Sequence, residues 1–225
     1  MNKRAILWDI DGTLINVHRN GNENTHLRAA EMLLNTKITG IEASRLSGQT
    51  DFEIIKEIIN QSNNINNFPK WINAIDSASA DLKKKSVFTS LFEHSKIFGI
   101  VNEHKIDNGI VTGNTTNRAL DKLNSVNLET FFDSRLLYTC KGNVTRSEIV
   151  KLAKNTLFNL GYERFIIIGD TPSDILSAKK NGVHVVSVST GKYDFAELSK
   201  FNPDFIFHKI GENEIFRIIN FLISN

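Results

Sequence analysis

The sequence predicts an α/β protein in which a doubly wound parallel sheet is interrupted, after its first strand, by a small all-helical insertion. Three observations predict it. Short, largely apolar runs at residues 5–8, 109–112, 165–168 and 183–188 are each followed by polar, Gly-containing sequence and then a helical pattern. The stretch 21–105 breaks that rhythm with helix-like spacing and no convincing strand. At 225 residues the chain suits one core plus a modest insertion rather than two full domains. The organisation read from this is a core of residues 1–20 and 106–225 and a helical cap of residues 21–105.

Residues 5–8 end in Asp9, as expected of a buried parallel strand whose carboxyl end meets solvent. In the insertion, Phe52, Ile55, Ile58 and Ile59 carry helical spacing, and the Asn-rich segment 60–67 with Pro69 reads as a loop between two helices. Gly48 to Asp51, within LSGQTD, reads either as a short loop bent at Gly48 or as a helix start capped by Thr50 or Asp51. Further on, Thr145 with Glu148 forms a capping-box pattern, and Thr171, Pro172 and Asp174 resemble a cap, a first-turn proline and a third-position acid. Residues 202–207 predict a last short strand and 215–223 a closing amphipathic helix.

Composition narrows the function classes. The apolar fraction of 40% and charged fraction of 23% are those of a globular protein. Lys plus Arg number 27 against 25 Asp plus Glu, and the Lys83 to Lys85 trio reads as a solvated helix face. Neither nucleic acid nor a membrane is implied as partner. No window is apolar enough to span a bilayer, and Asp9 and Asp11 interrupt the first apolar stretch too early for a signal peptide. The lone Cys140 cannot form an intrachain disulfide, which fits a reducing cytoplasm, and it is given no catalytic role.

Ligands of open parallel sheets bind beyond the carboxyl ends of the strands, so the polar residues after each apolar run are expected to converge. Those residues are Asp9, Asp11, Gly12 and Thr13, then Thr112, Gly113 and Asn114, and finally Asp170 and Asp174; Arg146 stands at a helix start. Phosphoryl transfer needs a nucleophile, a proton donor and positive charge around the transferring group. Asp9 can attack as a carboxylate, and Asp11 can protonate a leaving alcohol and later deprotonate water. Several carboxylates in one crevice need a cation, for which Mg²⁺ is the natural choice. Thr112 and Arg146 can bind the phosphate.

Singly, each element has a plainer reading: Asp11-Gly12 as a hairpin turn, residues 171–174 as a helix cap, residues 112–114 as a turn, Arg146 as a solvated helix residue. Together they are harder to dismiss. A DxDGT pattern arises by chance at about 10⁻⁵ per position at average usage, and the remaining elements follow in order, each behind an expected strand or at a helix start.

With these motifs the chain resembles the haloacid dehalogenase superfamily of phosphohydrolases, in the phosphoglycolate phosphatase-like branch with a helical, C1-type cap. The resemblance rests on DIDGT at Asp9, on Thr112 in IVTGN and on GDTPSD at Asp170 and Asp174. It implies a nucleophile at Asp9, an acid/base at Asp11 and Mg²⁺ held by Asp9, the Asp11 backbone carbonyl and Asp170, with Asp174 in support. The family's usual lysine followed by proline is absent; Arg146, 24 residues before Asp170, takes its place best, with Lys141 and Lys151 as alternatives.

The function implied is hydrolysis of a small phosphorylated metabolite through an aspartyl-phosphate. The alternatives kept open are a phosphomutase acting on a sugar phosphate and a non-catalytic binding protein of the same fold. A dehalogenase needs neither Asp11 nor a metal site, and a receiver domain carries its phosphate-accepting Asp after a middle strand.

Overall fold

The computed structural model describes residues 3–19, 24–35, 37, 47–60 and 68–224. The elements in chain order are β1 (Lys3–Trp8), β2 (Ile15–Arg19), α1 (Thr25–Leu34), α2 (Asp51–Asn60), α3 (Phe68–Lys83), β3 (Ser86–Ser90) and α4 (His94–Glu103). They continue with β4 (Asp107–Val111), α5 (Thr116–Asn124), β5 (Leu137–Tyr138), α6 (Arg146–Asn159), β6 (Tyr162–Gly169), α7 (Pro172–Lys180), β7 (His184–Val188), α8 (Phe195–Ser199), β8 (Phe205–Phe207) and α9 (Glu212–Ile223).

Six parallel strands form one sheet in the order β5-β4-β1-β6-β7-β8. The expected doubly wound sheet is therefore present. Its strands read as continuous apolar runs because both faces are buried. In β1 the period of two sends Ile6 and Trp8 to one face, against Phe98 of α4, Leu123 of α5 and Ile218 of α9. It sends Ala5 and Leu7 to the other, with Ile149 of α6 and Ile175 of α7. Each of the larger aliphatic side chains, fully buried, contributes about 1.5–3 kcal/mol relative to exposure.

β1 lies between β4 and β6, in register Trp8↔Ile110 and Trp8↔Ile168. This pairing matters most for the site. It places the residues after the three strands, Asp9, Thr112 and Asp170, along one edge of the sheet.

The insertion has its own small core, in which Ala29, Ala30, Ile54, Ile55, Ile58, Trp71 and Ile75 of α1, α2 and α3 meet. Two features depart from the expected all-helical stretch. β3 pairs antiparallel with β2 (Ile15↔Ser90 to Arg19↔Ser86), forming a two-stranded ribbon. Its five residues, SVFTS, leave Val87 61% exposed, so no apolar alternation marks it as a strand. Helix α4, grouped by sequence with the cap, buries Ile97, Phe98 and Val101 in the main sheet core. Helical periodicity identifies an apolar face but not the surface it packs on.

Pro69 lies in the first turn of α3 rather than in a loop, where its missing N–H costs nothing. Residues 61–67 of the expected Asn-rich loop lie outside the described residues. The Asp11-Gly12 turn does lead into a strand, but that strand pairs with β3 and not with β1, so no hairpin forms on the sheet. The expected capping box forms at Thr145/Glu148, and the expected cap at Thr171 has Pro172 in the first turn and forms a second box with Asp174.

Candidate active site

The chain leaves β1 in a tight turn. Asp9 N–H donates to the Ile168 carbonyl (2.9 Å), continuing the ladder by one residue, and the Ile10 carbonyl accepts from Leu14 (3.0 Å) and Ile15 (2.9 Å) N–H groups. Gly12 sits at φ +77°, and a Cβ there would lie 2.3 Å from Asp170 Oδ2. Thr13 Oγ1 donates to Asp170 Oδ1 at 3.2 Å. Gly and Thr of the DIDGT run thus make room for, and hold, the carboxylate of the residue that follows β6. Gly191 flanks the same oxygen so closely that a Cβ would sit 1.7 Å from it.

Asp9, Asp170 and Asp174 are buried, and one ligand oxygen from each lies within 4.8 Å of the others. Arg146, at the start of α6, reaches into this group: its Nη2 donates to Asp9 Oδ1 (2.9 Å), to the Val111 carbonyl (3.1 Å) and to Asp174 Oδ1. Asp174 Oδ2 accepts from Thr171 Oγ1 (2.7 Å) and N–H (3.1 Å), so Asp174 is at once a helix cap and a partner of Arg146.

Burial pushes the Asp9 carboxyl up to about 7, with repulsion from Asp174 and Asp11 adding to it and Arg146 only partly opposing it. Asp170 is raised well above its ordinary value by burial and then by Asp9 and Asp174. Arg146 is raised despite its burial, because Asp174 and Asp9 favour its charged form. Three hard oxygen donors in a pocket short of positive charge fit Mg²⁺. Asp170 and Asp9 have an unbalanced charge to offer such an ion. The oxygens of Asp174 are already engaged, which suits a supporting role.

Asp11 points elsewhere. Its carboxylate accepts from Lys122 Nζ (2.7 and 2.5 Å) and from Asn114 Nδ2 (2.8 Å), so its side chain is not one of the three clustered carboxylates. The same Asn114 amide donates to Thr112 Oγ1 (2.8 Å), and Asn114 Oδ1 accepts from Lys122 (2.9 Å). Asp11 is subject to a burial penalty, yet Lys122 and Asn114 hold its carboxyl below the ordinary value.

Lys122 escaped the sequence reading. The available signal was a pair of cations, Arg118 and Lys122, four apart and beside Ala119 and Leu123 on the buried face of α5. Like charges at that spacing repel, so burial of both demands nearby acids.

On the cap side, Gly48 adopts φ +85° and would, with a Cβ, meet Thr171 Oγ1 at 2.6 Å. Thr50 Oγ1 accepts from Glu53 N–H (3.1 Å) while Glu53 Oε2 accepts from Thr50 N–H (2.8 Å). The bent loop and the capped helix start therefore coexist. Asp51 Oδ1 meets His26 Nε2 (2.7 Å) and Arg118 Nη1.

A cleft of about 180 Å³ lies between the two parts. Asp9, Asp11, Thr112, Gly113, Asn114, Arg146 and Asp174 line its core side, and His26, Gln49 and Asp51 are among those on its cap side. Of the residues singled out by sequence, Asp9, Asp11, Thr112, Gly113, Asn114, Arg146 and Asp174 thus gather at one place, with Asp170 packed beside Gly12. Lys141 and Lys151 are exposed, and Lys151 borders a separate surface hollow. Cys140 is buried and free, and burial pushes its thiol up to about 11.

Residues 6–188 match the model of the haloacid dehalogenase-like hydrolase family. The chain belongs to that family. A search of curated protein sequences returns no match. Among solved structures, a Bacteroides vulgatus protein provisionally described as a β-phosphoglucomutase superposes with a TM-score of 0.70 at 18% identity, over 100% of this chain and 91% of that one. A haloacid dehalogenase-like family hydrolase from Streptococcus pneumoniae gives 0.64 at 17% identity, over 97% and 98% of the two chains. A Clostridium difficile protein provisionally described as a phosphatase gives 0.63 at 18%, over 97% and 99%. At these identities the likeness concerns the fold. In this haloacid dehalogenase-like hydrolase the motif residues and the fold thus point to the same family.

Proposed function

We propose that the protein is a Mg²⁺-dependent phosphatase that hydrolyses a small phosphate monoester through a phosphorylated Asp9. One observation carries the reading: Asp9 stands at the carboxyl end of the central strand, 2.9 Å from the Arg146 guanidinium and beside Asp170 and Asp174, facing the cleft. Asp9 supplies the nucleophile, since its buried carboxylate ends the strand at the cleft. Arg146 neutralises phosphate oxygens through its planar fork, and Thr112 with the Gly113 and Asn114 backbone orients them.

Asp11 handles the protons, because its side chain is 45% exposed toward the cleft while Asp9 is buried. Asp9, Asp170 and the Asp11 backbone carbonyl would hold the ion, with Asp174 in support. The Ile10 carbonyl is already taken by backbone N–H groups. Mg²⁺ supplies the positive charge that lets a phosphate dianion approach three carboxylates.

The test is hydrolysis of an aryl phosphate by wild type and Asp9→Asn, each with Mg²⁺ and with a chelator. Turnover that needs both Asp9 and the ion supports the reading; wild-type turnover in Asp9→Asn sinks it. The same Asp9 and Asp11 also suit a phosphomutase, a description carried by the Bacteroides vulgatus neighbour. Conversion of a sugar 1-phosphate to its 6-phosphate, followed by phosphorus NMR without release of inorganic phosphate, would favour that second reading.

A further inference from the structure

Helix α2 of the insertion does more than border the cleft, because its first residue is bonded to the loop that carries Asn114. Asp51 N–H donates to the Gly113 carbonyl at 2.8 Å, and Asp51 Oδ2 accepts from Thr115 N–H at 2.7 Å. These two bonds straddle Asn114. The approach is close: a Cβ at Gly113 would lie 2.7 Å from the Gln49 carbonyl oxygen. Asp51 is itself fixed from two further sides, by His26 from α1 at 2.7 Å and by Arg118 from α5. Asn114 in turn binds Asp11 (2.8 Å), Thr112 (2.8 Å) and Lys122 (2.9 Å), using both its amide nitrogen and its oxygen. An unbroken path of bonds thus leads from the start of α2 to the Asp11 carboxylate.

We propose that Asp51 is a positioning residue: by seating α2 on the 113–115 loop it sets the Asn114 side chain, and through it the Asp11 carboxylate. The role given to Asp11 rests on the phosphatase reading; the link from Asp51 to Asn114 does not. Asp51 is 2% exposed, and its two oxygens are occupied by three partners. A buried carboxylate so committed holds its neighbours to one geometry, because any shift leaves a desolvated donor or acceptor unpaired.

A double-mutant cycle on aryl phosphate hydrolysis tests the proposal. Asp51→Ala is expected to lower kcat roughly 10- to 100-fold with KM changed less than about threefold, the cost of a misplaced reacting group. In an Asn114→Ala background the same change is expected to cost little more, because the path is already cut. Undiminished kcat in folded Asp51→Ala, or fully additive losses, would overturn the proposal and leave Asp51 a purely structural ion-pair member.

Asp51→Asn, which keeps the side-chain volume, is followed by NMR of the Asn114 side-chain amide. The expected result is a shifted signal with faster solvent exchange; an unmoved signal overturns the link. Should the wild type show no turnover, the phosphatase reading fails, and the amide signal alone decides whether Asp51 places Asn114.

Discussion

Lys122 Nζ lies 2.7 and 2.5 Å from the two carboxylate oxygens of Asp11, a residue 111 positions away in the sequence. The lysine is buried at 6% side-chain exposure and the carboxylate is 45% exposed, so the pair joins an interior cation to a group that can meet substrate. Its consequence can be read in rates. Lys122→Met keeps the apolar stem and removes the charge; we expect kcat to fall roughly 10- to 100-fold, as when a reacting group loses its fixed position. Lys122→Arg should recover part of that loss. Equal kcat values for wild type and Lys122→Met in steady-state assays would show that the pair serves folding alone.

Arg146 stands between Asp9 and Asp174, and its removal leaves buried carboxylates facing one another. Breaking such a pair costs about 3–5 kcal/mol, which for a chain of this size lowers the melting temperature by roughly 6–20 °C. Thermal melts of Arg146→Ala should show that drop. Added Mg²⁺ should raise the melting temperature of the variant more than that of the wild type, since the ion then replaces the missing charge.

Gly191 is remote from every motif, yet a Cβ there would lie 1.7 Å from Asp170 Oδ2. Gly191→Ala must therefore displace that carboxylate. Calorimetric titration with Mg²⁺ is expected to show affinity reduced about 10- to 100-fold, the usual effect of disturbing the support of a metal ligand, while circular dichroism stays native. Unchanged Mg²⁺ affinity would remove Asp170 from the proposed ligand set.

Acid should weaken the protein through the contact between α1, α2 and α5. Burial holds His26 below its ordinary 6.5 despite the opposing pull of Asp51. The unfolded chain therefore binds this proton first, and stability falls as pH drops below 6.5. Asp51 is shifted far below its ordinary 3.8: against its burial, Arg118 and His26 favour the charged form. Its stabilisation is complete above 3.8 and is lost as pH falls from there toward the depressed folded value. Melting temperatures measured from pH 8 to 3 should thus decline in two stages, and His26→Gln should flatten the upper one. A profile identical to wild type in that variant would contradict the assignment.

Much of this was legible in the sequence because local chemistry carried it. The run before Asp9, the GDTPSD helix start and the capping box at Thr145 are contiguous signals, and the family match agrees with them. Arg146 was reachable through its place at a helix start. Arg118 and Lys122 left only their spacing beside Ala119 and Leu123, and Gly191 left nothing, because their partners Asp51, Asp11 and Asp170 are brought to them only by the fold. The two-residue β5 and the exposed β3 were too short and too irregular to leave a period. The core packing of α4 was hidden for a different reason: an amphipathic helix looks alike whichever surface it meets.

The central place of β1 has a bearing on how the protein is made. Its two neighbours, β4 and β6, are encoded about 100 and 160 residues later. At roughly 5–20 residues per second, the ribosome needs on the order of ten to thirty seconds to deliver β6. Throughout that interval the nascent chain holds the whole DIDGT segment and yet no reaction centre, with an apolar strand awaiting first both neighbours and then, once β4 is made, β6 alone. Chaperones that shield exposed apolar segments are thus expected to matter more for its yield in cells than for its stability once folded.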